Sequence, residues 1–449
     1  MSLKILTLNC RSVTCYHLAI TMPQFFSNSL FLCSLAVLTF IGLQLPQKNP
    51  HNIKAKKEKP NLLPQKIETS QGKQNNLNLQ PTQSFLIIGG GPAPEANEIG
   101  IEKNILYFQR TLRVMGYNPA EVPIFFANGN NQQATVSYLD KNGRQLFKIP
   151  EIPNIKGAST LSNLRSTFQQ LQSKKSDSVF FYFTGHGTRN PENINNNLIL
   201  LWNDEPLSVQ TFSSLLDRLP PKTSFVAMMS QCYSGSFANL IYEGGNPKLP
   251  ITQRPRCGFF ATVKTRPSVG CSPQVNEADY EDYSSSFFAG LSGRSRTGKT
   301  VTSADYNQDG RVSFAEAHAF AKIDQQNVDF PLSTSEYWLQ NQANKRIQEK
   351  IVTQAINVTL ITARPEQKSV INYIIKMFKF DPEKSFQENQ RTILGGKAKT
   401  EEQEAYLMRL RMELLNIAME KQVRNSGNPQ AISILERLIE CENGSWGKQ

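Results

Sequence analysis

The chain has 449 residues, 39% of them hydrophobic and 9% aromatic, enough for a packed core and too apolar for a disordered protein. That length suits one large domain or two to three modest ones. The formal charge of +12 raises nucleic acid or an anionic surface as partners, but much of the excess lies before residue 75 and in the C-terminal third, without the arginine–aromatic interleaving that grips single strands, so nucleic acid is excluded as the main partner.

Residues 1–29 carry Lys4 and Arg11 ahead of the apolar run "LFLCSLAVLTFIGLQL" at 30–45. A continuous apolar stretch of that length reads as a signal-peptide core or a membrane anchor, here placed at 30–46. No small-x-small cleavage site follows it. The lysines after the run favour a cytoplasmic C-terminal side by the positive-inside tendency. A single apolar run ahead of a soluble domain more often serves export, and an exported or membrane-anchored protein is the expectation. Residues 47–83, rich in Lys, Asn, Gln and Pro, form a flexible basic tether.

From residue 84 the texture changes. "FLIIGGG", "EVPIFFANG", "SVFFYFTGHG", "TSFVAMMSQC" and "CGFFATVKT" are apolar runs, several stopped by glycine or small polar residues. Segments with helical spacing lie between them, at 101–115, 161–171 and 209–216. Near-continuous apolar strands alternating with amphipathic helices predict an α/β domain over 84–340, with a mainly parallel sheet covered on both faces. In such sheets the crevice forms at the carboxyl ends of the strands. His186 and Cys232 both stand there. After about residue 341 the strand pattern gives way to amphipathic, charged segments such as "TEEQEAYLMRLRMELLNIAMEKQVR" and "QAISILERLIECEN", which predict a C-terminal α-helical region to 449.

A cysteine attacks well only as thiolate and needs a base or cation beside it. His186 ends one strand and Cys232 the next. Gly185 and Gly187 let the backbone turn sharply and present N–H groups to a substrate oxygen. Here the sequence resembles the clan of caspases, legumains, metacaspases and gingipains. "YFTGHG" resembles the histidine strand of the legumain-like branch, "CYSGS" resembles its cysteine turn, and "CGFFATVKTRPSVGCSPQ" looks like its following strand and cleft loop. The resemblance covers about 85–293 and implies a caspase-like three-layer sandwich. It also implies a cysteine endopeptidase acting on protein or peptide. His186 would be general base or imidazolium partner, Cys232 the nucleophile that forms the acyl-thioester, and the N–H groups of Gly187 and Cys232 the oxyanion hole. No third catalytic residue is named.

The sequence departs from the clan at two places. Gln231 stands where legumains have alanine. The first loop, "GPAPEANEIGIEKN", carries Glu95, Glu98 and Glu102 with no arginine before Arg110, so a preference for Asn or Asp at P1 does not carry over. The acidic loop "NEADYEDY", with Asp279, Glu281 and Asp282, is the candidate pocket for a basic P1 side chain. The alternatives are a transpeptidase using the same thioester and a non-catalytic calcium-binding scaffold.

An independent motif follows. "DYNQDGRVSFAE" at 305–316 matches D-x-[DN]-x-[DN]-G-x5-E, an EF-hand calcium loop. Asp305, Asn307 and Asp309 supply short side-chain oxygens, Arg311 its carbonyl, Ser313 a direct or water-mediated contact, and Glu316 a closing bidentate carboxylate. No helix is evident before Asp305, which makes this half of an EF-hand, and His318 is expected on the surface of the exit helix. Neither "IIGGGPAPE" nor "GRSRTGKT" keeps a nucleotide-loop spacing, so no organic cofactor is expected. The seven cysteines contain no CxxC pair. Cys257 and Cys271 bracket one loop and form either a disulfide in an exported domain or two unpaired core residues.

Overall fold

The computed structural model describes residues 83–174, 176–395 and 399–446, so the apolar run at 30–46 and the tether up to residue 82 lie outside it. The strands in chain order are β1 (Gln83–Gly90), β2 (Ile124–Phe126), β3 (Val136–Leu139), β4 (Gln145–Lys148), β5 (Ile155–Gly157), β6 (Ser178–Thr188), β7 (Leu198–Leu200), β8 (Pro206–Ser208), β9 (Ser224–Met229), β10 (Arg256–Phe260) and β11 (Leu332–Ser333). The central sheet has the order β11-β10-β9-β6-β1-β2-β5. Its pairs are parallel except β10 with β11. Beyond that sheet β6 runs on to pair antiparallel with β7, which pairs with β8, and β3 and β4 form a separate hairpin.

Alternation along β6 shows why both faces must be covered. Phe181 and Phe183 join one apolar cluster, Phe180 and Tyr182 the other. Helices α1 (Ile99–Val114), α2 (Leu161–Ser173), α3 (Val209–Leu216), α4 (Tyr283–Ser292) and α5 (Phe314–Asp324) supply the layers. Leu164, Phe168, Phe212 and Leu216 of α2 and α3 close one side, and Ile101, Ile105, Phe108, Phe287, Phe288 and Phe314 of α1, α4 and α5 close the other. Period-2 strands buried on both sides between amphipathic helices give a three-layer α/β arrangement, consistent with the expected caspase-like sandwich.

The rest of the chain is helical: α6 (Thr334–Gln342), α7 (Lys345–Thr353), α8 (Ile356–Leu360), α9 (Pro365–Phe378), α10 (Phe386–Leu394), α11 (Glu401–Arg424) and α12 (Pro429–Glu442). These helices belong to the same compact unit as the sheet, Gln80–Gln449. Leu435 and Leu438 of α12 sit in the cluster that holds Phe181, and Trp446 is buried in the one that holds Phe180. A disulfide joins Cys257 of β10 to Cys441 of α12. This corrects the pairing considered for Cys257 and Cys271: the buried β10 cysteine faces the last helix, 184 residues away in sequence, and Cys271 is left for the crevice. His318 also differs from its expected surface position. It is buried, with Nδ1 2.6 Å from the Tyr283 hydroxyl and Nε2 3.1 Å from Glu336. Lys322 binds both Glu336 and Glu413, tying α5 to α6 and α11. A buried ammonium is tolerated only because two carboxylates meet it.

Candidate active site

Adjacent parallel strands bring residues together at a fixed sequence offset. From Ser178↔Ser224 to Phe183↔Met229, β6 and β9 pair residue n with residue n + 46. His186 and Cys232 are also 46 apart (232 − 186), and each lies three residues beyond the last pair of that ladder, Phe183 and Met229. Both lie at the carboxyl end of the sheet. There the Gly187 backbone abuts Cys232, and a Cβ at Gly187 would overlap the Cys232 carbonyl oxygen. Only glycine permits that approach. Tyr233, directly after the cysteine, has a left-handed φ of 58° and opens the buried turn at Ser234–Ile241. Backbone strain of this kind collects where a side chain is held out at a site.

His186 is not alone. Its Nε2 lies 2.9 Å from Oε2 of Glu98, with the two side chains 22% and 8% exposed. Glu98 stands at the N-cap of α1 but makes no capping bond with its side chain. Its carboxylate is spent on the imidazole instead. Cys271 completes the group: one ligand atom from each of Glu98, His186 and Cys271 lies within 4.8 Å of the others. The Cys271 thiol also points at the Gly185 carbonyl, 3.6 Å away. Burial acts against a charged imidazole, but Cys271 and the Glu98 carboxylate outweigh it and hold the His186 pKa well above its ordinary value.

The loop after β10 reaches both sulfurs. The Ser268 N–H donates to Cys232 Sγ at 3.3 Å, and Cys271 follows three residues later beside His186. The loop is pinned from below. Ser268 Oγ–H and Val269 N–H donate to the two carboxylate oxygens of Asp329, at 3.0 and 3.1 Å. Burial pushes the Asp329 carboxyl up to about 7. Asp329 is steadied by Arg409 of α11, whose buried guanidinium donates to the carbonyls of Asp329, Gln325 and Asn327 at 3.0, 2.9 and 2.8 Å. The C-terminal helices thus support the crevice at one remove.

Residues 131–247, the stretch that holds both His186 and Cys232, match the Peptidase C13 family. The match supports the resemblance to the caspase/legumain-like clan of cysteine peptidases over that stretch. Solved structures similar to it include a protein from Geobacter sulfurreducens, at 11% identity over 42% of this chain and 76% of that one, with a TM-score of 0.27. Another is a secreted C11 cysteine protease from Bacteroides thetaiotaomicron in complex with an irreversible peptide inhibitor, at 13% identity over 40% and 48%, TM-score 0.25. A third is Raptor from Chaetomium thermophilum, at 10% identity over 84% and 40%, TM-score 0.32. No curated protein matches the sequence.

The domain treats the other candidates differently. Asp282 is drawn inside: it caps α4 through Ser285 N–H at 2.7 Å and accepts Asn104 Nδ2–H at 2.8 Å, with Arg296 3.5 Å away. Asp279 and Glu281 stay on the surface. The three carboxylates therefore do not line one acidic pocket, because the helix N-terminus and Arg296 claim Asp282. In the 305–316 loop, Asp305 accepts the N–H groups of Asp309 and Gly310 at 3.1 and 3.0 Å, and Gly310 turns with a φ of 88°. Glu316 accepts Tyr306 N–H and Asn307 N–H through one oxygen and Ser313 N–H through the other, at 2.9, 3.1 and 2.9 Å. Ser313 caps α5. Glu98 and the closeness of Cys271 to His186 escaped the sequence reading. The only signal was the acidic first loop, which registered merely as the lack of an arginine. Among the described residues no helix is long and apolar enough to cross a membrane.

Proposed function

We propose that the domain is a cysteine endopeptidase with Cys232 as nucleophile and His186 as its proton partner. The observation that supports this is the n + 46 register of β6 and β9, which ends three residues short of both His186 and Cys232, together with the close approach of Gly187 to the Cys232 carbonyl. The imidazole takes the thiol proton, and Sγ attacks the scissile carbonyl. The N–H groups of Gly187 and Cys232 receive the developing oxyanion. Collapse of the adduct expels the amine, which takes the proton back from His186, and leaves an acyl-thioester for water to hydrolyse. Glu98 holds the ring in place and favours its protonated form. Turnover of a peptide library by the purified chain tests the reading. Cys232→Ala should abolish cleavage and His186→Ala should reduce it at least ~100-fold; cleavage that survives Cys232→Ala refutes it.

A transamidase would share every step up to the thioester and is recognised by transfer to an added amine. The surface carboxylates Asp279 and Glu281 favour a basic side chain in the substrate, and equal rates for P1 Arg and P1 Asn would remove that preference. We also assign calcium to the 305–316 loop, because the inward turns at Asp305 and Gly310 fit the loop such an ion needs. Asp305, Asn307, Asp309, Arg311, Ser313 and Glu316 would hold it, with Glu316 leaving its backbone partners. Calorimetry at millimolar calcium, against Asp305→Ala, checks this. An exported or membrane-anchored location accords with the Cys257–Cys441 disulfide, since such bonds persist in oxidising compartments.

A further inference from the structure

We propose that Glu98, His186 and Cys271 form a zinc site that switches the peptidase off. This rests on the reading of His186 as the proton partner of Cys232. The donors are a carboxylate oxygen, an imidazole nitrogen and a thiol sulfur, all within 4.8 Å of one another. That set suits Zn²⁺, which takes His, Cys and Glu together, and is poor for calcium or magnesium, which prefer oxygen alone. With Zn–S near 2.3 Å and Zn–N or Zn–O near 2.0 to 2.2 Å, tetrahedral neighbours stand about 3.3 to 3.6 Å apart. Glu98 and His186 are already 2.9 Å apart, so a small turn of the Cys271 side chain closes the group.

The three ligands come from three places: the start of α1, the end of β6, and the loop after β10. Backbone pairing holds each of them, and α1 holds the Cys271 loop as well. Glu98 heads a helix, His186 pairs with Leu200 in the β6–β7 ladder, and the Cys271 loop is tied by Gly100 N–H to the Ser272 carbonyl at 2.8 Å. With 22% of the His186 side chain exposed, the site is open enough for an ion to enter. Zinc ligation needs the thiolate form of cysteine and a neutral imidazole. A metal on His186 takes away the group that Cys232 needs for proton transfer, so peptidase activity and zinc occupancy exclude each other.

The test uses the full chain carrying Cys232→Ala, which has no nucleophile. Zinc is titrated in competition with a chromophoric chelator, and cobalt serves as a spectroscopic probe for thiolate ligation. One equivalent should bind, with a cobalt–thiolate charge-transfer band, and equimolar calcium should leave the band unchanged. Adding Cys271→Ala, or the gentler Cys271→Ser, should remove the band and weaken zinc by at least ~100-fold. In the protein with Cys232 intact, zinc should slow labelling of that residue, a chelator should restore it, and Cys271→Ala should make it indifferent to zinc. Binding that survives Cys271→Ala, or no binding to the Cys232→Ala chain, overturns the site. Because binding is read without turnover, its failure leaves the peptidase reading standing, and failure of the peptidase leaves the metal result intact.

Discussion

Replacing Glu98 with glutamine keeps the shape of the side chain and a hydrogen-bonding oxygen but removes the charge beside His186. A hydrogen bond between charged partners is worth about 1.5 to 3 kcal/mol, against about 0.5 to 1.5 for a neutral one. The 2.9 Å contact, with Glu98 only 8% exposed, is sheltered enough to feel most of that difference. The loss is then about 1 to 1.5 kcal/mol of stabilisation of the imidazolium, and so roughly tenfold in any rate that depends on it. The sign is fixed. A carboxylate raises the imidazole pKa, so Glu98→Gln moves the His186 titration downward, towards the ordinary value. In the parent protein the raised pKa contributes stability that is complete below the ordinary imidazole value and is lost as pH rises through the folded-state value. The variant should lose much of that alkaline dependence. The assay pairs the pH profile of Cys232 labelling by a peptidyl electrophile with histidine NMR. An unchanged His186 titration together with an unchanged labelling rate would refute the role given to Glu98.

Three further outcomes follow from the same geometry. Gly187→Ala puts a methyl group against the Cys232 carbonyl and should cut the labelling rate at least ~10-fold with the circular-dichroism spectrum retained; an unimpaired rate would mean that the close approach is not used. Cys441→Ser removes the bond that closes a 184-residue separation and should lower unfolding free energy by about 2 to 4 kcal/mol, with parent and variant converging under reductant; denaturant titration decides. Asp329, pushed up to about 7 by burial, makes the folded state hold a proton that the unfolded chain releases at lower pH. Stability should therefore fall as pH climbs from the ordinary carboxylate range to about 7, and Asp329→Asn should flatten that slope in thermal melts taken across the range.

The sheet was readable because its strands are buried on both faces and so appear as apolar runs, each stopped by glycine or a small polar residue. The helices at 161–173 and 209–216 start where their spacing predicts. The short antiparallel additions, β3 with β4 and β7 with β8, were missed because three or four residues carry too little periodicity to register. His186 and Cys232 were legible as two strand ends, and their separation of 46 equals the offset of the β6–β9 register. Glu98 was not legible, since nothing along the chain reports which carboxylate, 88 residues away, will turn toward a histidine. Cys257 bonds a helix 184 residues further on, which no local spacing reveals. Amphipathic spacing showed that the C-terminal helices bury one face. It could not show that α12 and Trp446 bury theirs against the central sheet.

The most direct measurement is peptide mapping by mass spectrometry after treatment of the full chain with a peptidyl electrophile. A single adduct on Cys232, formed much more slowly in His186→Ala, is the predicted result. An adduct on Cys271 with Cys232 unmodified would contradict the assignment of the nucleophile.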